Sequence, residues 1–238
     1  RSGGQGQSAS GRLYGSQWIA RWGLETAKRL DREIREGFET WKSMVAQVDC
    51  DAQPGGHLYI AHRPRRMAFL ERECEVMREV FGYDTRMLSA AELREQYVDD
   101  REAAGALHEA EGIGIHPVKL AWGYLRMART EGVKVHTGSP VMEWTTQGGV
   151  HHLRTPGGTV RARAVGVATG GYTAQGLHPM LESRVMPILS NSMVTRPLSR
   201  EELAEAGLRS HVFMTDTRTL RFYYRLLPDD RMQIGSRS

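Results

Sequence analysis

RARAVGVATGGYT, Arg161 to Thr173, decides how this 238-residue chain is read. A run of small and branched apolar residues stops abruptly at Gly170-Gly171. Such a run reads as a strand buried on both faces of a parallel sheet, and the glycines let the backbone turn where a ligand can lie close. Ligands of open α/β sheets bind outside the carboxyl ends of strands. The small side chains of Ala168, Thr169 and Gly170 would leave room for a large planar group against the main chain. A strand followed by Gly-Gly is also an ordinary turn signal, so the motif needs support from the rest of the chain.

Upstream of that run the period is two, predicting strands at Val133 to Thr137, Pro140 to Thr145, Gly149 to Thr155 and Thr159 to Ala162. The last hairpin turns at Pro156-Gly157-Gly158. Before them, Pro117 opens and Gly132 closes a helix with Leu120, Ala121, Tyr124, Leu125 and Ala128 on one face. His116 stands at its entrance as a cap.

Nearer the amino terminus, a glycine-rich loop offers free backbone N–H groups over residues 1 to 16. A long helix follows, with a stripe of Leu30, Ile34, Phe38, Trp41, Val45 and Val48. GGHLYIAH, Gly55 to His62, reads as a strand, and Pro64 opens a helix whose stripe is Met67, Leu70, Cys74, Met77 and Phe81. Ser89 and Glu92 form a capping box for a helix over Ala90 to Gln96, and Ala103 to Glu109 reads as a strand. Toward the carboxyl end come a strand near Ile188 to Arg196, a helix from Ser199 to Ala206, and strands at Leu220 to Leu227 and Met232 to Gly235. Alternating helices and strands in the middle, with antiparallel pairs at the end, predict an α/β chain with α+β elements.

Hydrophobic content of 40% and charged content of 25% suit a globular protein with a sizeable core. No run approaches the roughly 20 apolar residues that cross a bilayer, and no apolar leader opens the chain, so a cytoplasmic location is the default expectation. Cys50 and Cys74 lack metal-ligand spacing, as does the pair His151-His152, and no metal site is expected. The net charge of +4 is spread among glutamates. Only Arg63-Pro64-Arg65-Arg66 is a basic cluster, and nucleic acid is not an expected partner.

Several segments together resemble the amine- and D-amino-acid-oxidase type of FAD-dependent oxidoreductases, most closely the branch that includes γ-glutamylputrescine oxidase. RSGGQ at Arg1 to Gln5 is similar to the end of that family's glycine-rich loop, with Ser2 where asparagine is common. Ile115 to His136 resembles the helix and strand before the adenine-binding segment, and SPVMEW then supplies Val141. ATGGY, Ala168 to Tyr172, is similar to the strand end beside the dinucleotide, and LRFYYRLLPDDRMQIGSRS resembles the strand pair leading back to the flavin. The family's strand, G-x-G-x-x-G turn and acidic residue have no counterpart here, so the chain reads as an internal part of a longer polypeptide.

The resemblance implies FAD as cofactor, held by Arg1, Ser2, Gly3, Gly4, Gln5, Val141, Ala168, Thr169, Gly170 and Gly171. It implies a partial Rossmann-like FAD-binding domain with a three-stranded meander, interleaved with an antiparallel-sheet substrate domain. Residues 1–48 and 113–175 would belong to the first, 49–112 and 176–238 to the second. The activity implied is oxidation of a C–N bond in an amine or amino acid by hydride transfer to the flavin, followed by imine hydrolysis and reoxidation by oxygen. A quinone-linked dehydrogenase and a non-catalytic or nucleic-acid-associated module are the alternatives. Tyr223, Tyr224 and Arg225 are the candidate substrate contacts; alternation places Tyr223 and Arg225 on one face and Tyr224 on the other. Arg225 would grip a substrate carboxylate or pair with Asp229 or Asp230 across the turn.

Overall fold

A computed structural model describes residues 3–8 and 13–237. The chain divides into a larger unit, residues 1–127 with 190–237, and a smaller one, residues 128–189.

The larger unit opens with β1 (Gln5–Gln7), α1 (Gly15–Trp22) and α2 (Leu24–Val45). The buried face of α2 is Ala27, Asp31, Phe38 and Val45, so the predicted stripe is offset: Leu30 is exposed and Asp31 lies inside. That carboxylate is satisfied by Arg35 Nε at 2.9 Å and the Tyr83 hydroxyl at 2.8 Å, which is what allows a charged residue on the inner face. Next come β2 (Gln53–Pro54), β3 (His57–Ala61) and α3 (Met67–Glu75), the last entered through a single 3-10 turn at Pro64–Arg66 and continued by a π turn over Val76–Val80.

β4 (Thr85–Ser89) runs into α4 (Ala90–Gln96), capped as predicted: Ser89 Oγ accepts the Glu92 N–H at 3.2 Å and Glu92 Oε2 accepts the Ser89 N–H at 2.8 Å. β5 (Gly105–Glu109), β6 (Gly112–Gly114) and α5 (Pro117–Thr130) complete this first passage. β6 takes β1 and β2 on its two sides in a small antiparallel sheet.

In the smaller unit β7 (Glu143–Gln147), β8 (Val150–Thr155) and β9 (Gly158–Ala162) form the predicted meander. Gly148 and Gly149 turn its first hairpin with φ of 56° and 75°, the left-handed pair that a two-residue turn of matching twist requires. Two predicted strands are corrected. Val133 to Thr137 is irregular, and the run Val165 to Thr169 is neither strand nor buried, with Val167 42% exposed. A strand is buried only where neighbours accept its ladder, and among the described residues the β9 ladder ends at Ala162 with nothing paired beyond it. A 3-10 turn over Gly170–Tyr172 follows.

The chain re-enters the larger unit with β10 (Ser190–Val194), α6 (Arg200–Glu205), β11 (Phe213–Asp216), β12 (Tyr223–Leu226) and β13 (Met232–Arg237). The main sheet has the order β10-β13-β12-β11-β3-β5-β4. Every neighbour pair is antiparallel except β11 with β3, so the sheet is mixed rather than wholly antiparallel. One face buries Leu58, Ile60, Leu88, Leu93 and Met214; the other buries Tyr59, Leu70, Cys74 and Leu107. At about 1.5–3 kcal/mol for each fully buried large apolar side chain, these two layers are the main source of stability.

Candidate functional site

Because β12 alternates its side chains, Tyr223 and Arg225 emerge together and Tyr224 points the other way. Tyr224 packs in the core with its hydroxyl donating to Asp100 Oδ2 at 3.2 Å. Burial, reinforced by Asp100, pushes that phenol up and keeps it a neutral donor. The structure therefore brings together two of the three substrate candidates.

The amino-terminal glycines lie against this pair. A Cβ on Gly3 would stand 2.9 Å from the Tyr223 ring, and one on Gly4 would stand 2.6 Å from Arg225 Nη2. Gly4 also has φ of 71°, where side chains are strained, so main chain and no other residue fits here. On the far side, a Cβ at Gly114 would meet Arg225 Nη1 at 2.5 Å.

Arg225 is only 3% exposed and does not pair with Asp229, which salt-bridges Arg231 at 2.9 Å. Its donors go to neutral acceptors: Nη2 to the Ile115 carbonyl at 2.7 Å, Nε to Gln233 Oε1 at 3.1 Å and Nη1 to Gln53 Oε1 at 3.4 Å. Among the described residues it makes no ion pair with a carboxylate. Burial lowers its guanidinium to about 10, still charged at neutral pH.

Arg225 forms part of the wall of a cavity of about 630 Å³ with Asp51, Gln53, His116, Lys119 and Arg231. Lys119 pairs with Asp51 and Arg231 with Asp229, so among the described residues Arg225 is the cation of this cavity without an anionic partner. His116 Nδ1 accepts the Lys119 N–H at 3.3 Å, acting as the predicted cap. Burial pushes the Cys50 thiol up, away from nucleophilic use.

The remaining cofactor candidates divide by position. Arg1 and Ser2 lie outside the described residues. Gln5 sits on β1 with its Nε2 buried and without a hydrogen-bond partner. In the smaller unit Val141 is half-buried just before β7, and Ala168, Thr169, Gly170 and Gly171 are exposed. Gly170, at φ 55°, has open space where a side chain would be. His151 on β8 accepts from Trp144 Nε1 at 3.2 Å and hydrogen-bonds Thr146. Among the described residues no cluster of His, Cys, Asp and Glu could hold a metal, and no helix is long and apolar enough to cross a membrane.

The sequence model of the FAD dependent oxidoreductase family (DAO) matches residues 1–238. The chain belongs to that family, whose cofactor is FAD. It is 33% identical over 218 residues to the gamma-glutamylputrescine oxidoreductase of Escherichia coli K12, covering 90% of this chain and 50% of that one. It spans about half the length of the curated relatives it matches. Among solved structures, glycine oxidase from Geobacillus kaustophilus is similar with a TM-score of 0.68 and 16% identity, over 98% of this chain and 59% of that one. L-proline dehydrogenase from P. horikoshii gives 0.69 and 15%, over 87% and 55%. These likenesses establish the fold.

The residues present fit FAD. In the larger unit, Gly3 and Gly4 bring main chain close against Tyr223 and Arg225, and Gln5 keeps a buried amide donor without a hydrogen-bond partner; in the smaller unit, taken by itself, Ala168 to Gly171 are small and exposed. Sequence reasoning missed Tyr14, Tyr59, Arg66, Arg218 and Arg221, which share a second cavity of the larger unit. One signal lies in the sequence: Arg66 ends the single basic cluster of the chain.

Proposed function

We propose that the protein carrying this chain oxidises the C–N bond of a small amine or amino acid, a γ-glutamylated diamine being the leading candidate, with oxygen as the final electron acceptor and the cytoplasm as its location. FAD, when bound, supplies the hydride acceptor. The chain's own residues bind and orient. Gly3, Gly4 and Gln5 would hold the flavin end through main chain and one amide. Val141 and Ala168 to Gly171 would hold the adenosine end, with Arg1 and Ser2 assigned to the same cofactor.

Residues 1–48 and 113–175 are assigned to the FAD-binding domain, 49–112 and 176–238 to the substrate domain. Tyr223 and Arg225 would fix the substrate's polar group beside the reacting carbon, the buried guanidinium aligning a carbonyl or carboxylate oxygen. Tyr224 would support them from the core. After hydride loss the imine leaves this face to be hydrolysed by water.

The observation that supports the reading is the contact of side-chain-free Gly3 and Gly4 with Tyr223 and Arg225. The resemblance of 90% of the chain to half of an E. coli enzyme named for γ-glutamylputrescine supports the substrate class. The test is the full-length protein, purified and assayed with γ-glutamylputrescine, glycine and proline in air. A yellow protein that bleaches with its amine and releases peroxide is the expected result; bleaching without peroxide assigns a dehydrogenase, and absence of flavin overturns the reading.

A further inference from the structure

The second cavity, about 370 Å³, lies on the same sheet face as Tyr223 and Arg225. Register places it: Thr215 pairs with Tyr223 on one side and with Tyr59 on the other, and directly paired residues share a face. Arg221 precedes Tyr223 by two residues, about 7 Å along an extended chain. Tyr223, the ring against Gly3, thus has an arginine two residues away in each direction, and the two arginines line different cavities.

The second cavity is rich in cations and donors. Arg221 donates to the Tyr14 hydroxyl and stacks over Tyr59 and Tyr14, its guanidinium carbon 5.2 Å and 5.6 Å from the ring centroids. The two tyrosine hydroxyls are hydrogen-bonded to each other. Arg218 is neutralised by Asp216 and Glu102. Arg66 and Arg221 make no ion pair among the described residues, and Arg66 Nε is buried without a hydrogen-bond partner. A wall carrying two cations in excess and an unused donor suits a planar anion that accepts several hydrogen bonds at once.

We propose that this cavity binds a carboxylate, and that the carboxylate is the remote one of the substrate whose amine reacts beside Tyr223. This rests on the function proposed above and narrows it: an amine with a distant carboxylate, as in a γ-glutamylated diamine, is selected over the same amine without one. Arg66 and Arg221 hold the anion, and Tyr14 and Tyr59 fix the Arg221 plane.

The test compares γ-glutamylputrescine with N-acetylputrescine, which keeps the amide and amine and lacks the carboxylate, in the full-length protein. Arg66→Gln, and Arg66→Gln with Arg221→Gln, are each checked for retained flavin and fold. Losing charge-assisted bonds should lower kcat/KM for the γ-glutamyl substrate about 10- to 100-fold and leave N-acetylputrescine unchanged, with Arg66→Lys recovering part of the loss. Equal loss on both substrates, or none on either in folded Arg66→Gln protein, overturns the proposal. Should the protein oxidise neither amine, the function reading fails separately, and calorimetric titration with free L-glutamate decides: binding abolished by Arg66→Gln supports a site for a free carboxylate, and no binding to the unmodified protein overturns the site.

Discussion

The main sheet of the larger unit and the stretch from Arg163 to Leu189 in the smaller one use similar apolar residues to opposite ends. In the sheet, Leu58, Ile60 and Met214 are fully buried. In the other stretch Met186 is 79% exposed, Leu189 73% and Val167 42%. Composition does not separate them; hydrogen-bonded neighbours do. Each interior strand of the sheet has two partners whose side chains close over its own, whereas the residues from Arg163 to Leu189 have no ladder.

The sharpest way to break this contrast is a core deletion. Phe213→Ala removes a ring that is 1% exposed and stacked on His57 with centroids 5.0 Å apart, and should cost about 3–5 kcal/mol in chemical denaturation. Asp31→Ala strips the acceptor from Arg35 and Tyr83 and should cost about 1–3 kcal/mol by the same measurement. Ser89→Ala removes one capping bond of α4, about 1 kcal/mol. On the other side of the comparison, Val167→Ala should change stability by less than about 0.5 kcal/mol without FAD. A loss as large as that at Phe213 would mean that Val167 is packed after all.

The smallest expected effect depends on pH. Arg196, with the capping N–H of Ser199, holds the Glu202 carboxyl down to about 2 from an ordinary 4.5. Lowered in the folded state, it contributes stability above the ordinary value and loses it as pH falls from about 4.5 toward 2. Thermal unfolding followed across that window should show a shallower slope for Glu202→Gln than for the unmodified protein.

What could be read from the sequence was what is local. The Ser89–Glu92 box, the Pro117 start and Gly132 stop of α5, and the Pro156-Gly157-Gly158 turn between β8 and β9 each act within a few residues. Short strands such as β1, β2 and β6 exist because β6 finds β2 across 59 residues or more and β1 across 105 or more, and no periodicity shows over three residues. The same blindness produced the two strands that are absent. In the site, alternation separated Tyr224 from Tyr223 and Arg225 correctly. The burial of Arg225 among carbonyl and amide oxygens, and the gathering of Arg66 with Arg221, depend on pairing β12 with β11 and β11 with β3.

One residue ties three parts of the larger unit together. The Ile115 N–H donates to the Gly4 carbonyl at 2.7 Å, while the Ile115 carbonyl accepts from Arg225. The amino-terminal loop, the entrance of α5 and the strand β12 thus meet at a single junction. A shift of any one tugs on the other two, and a displacement of Arg225 reaches Gly4 through a relay two hydrogen bonds long.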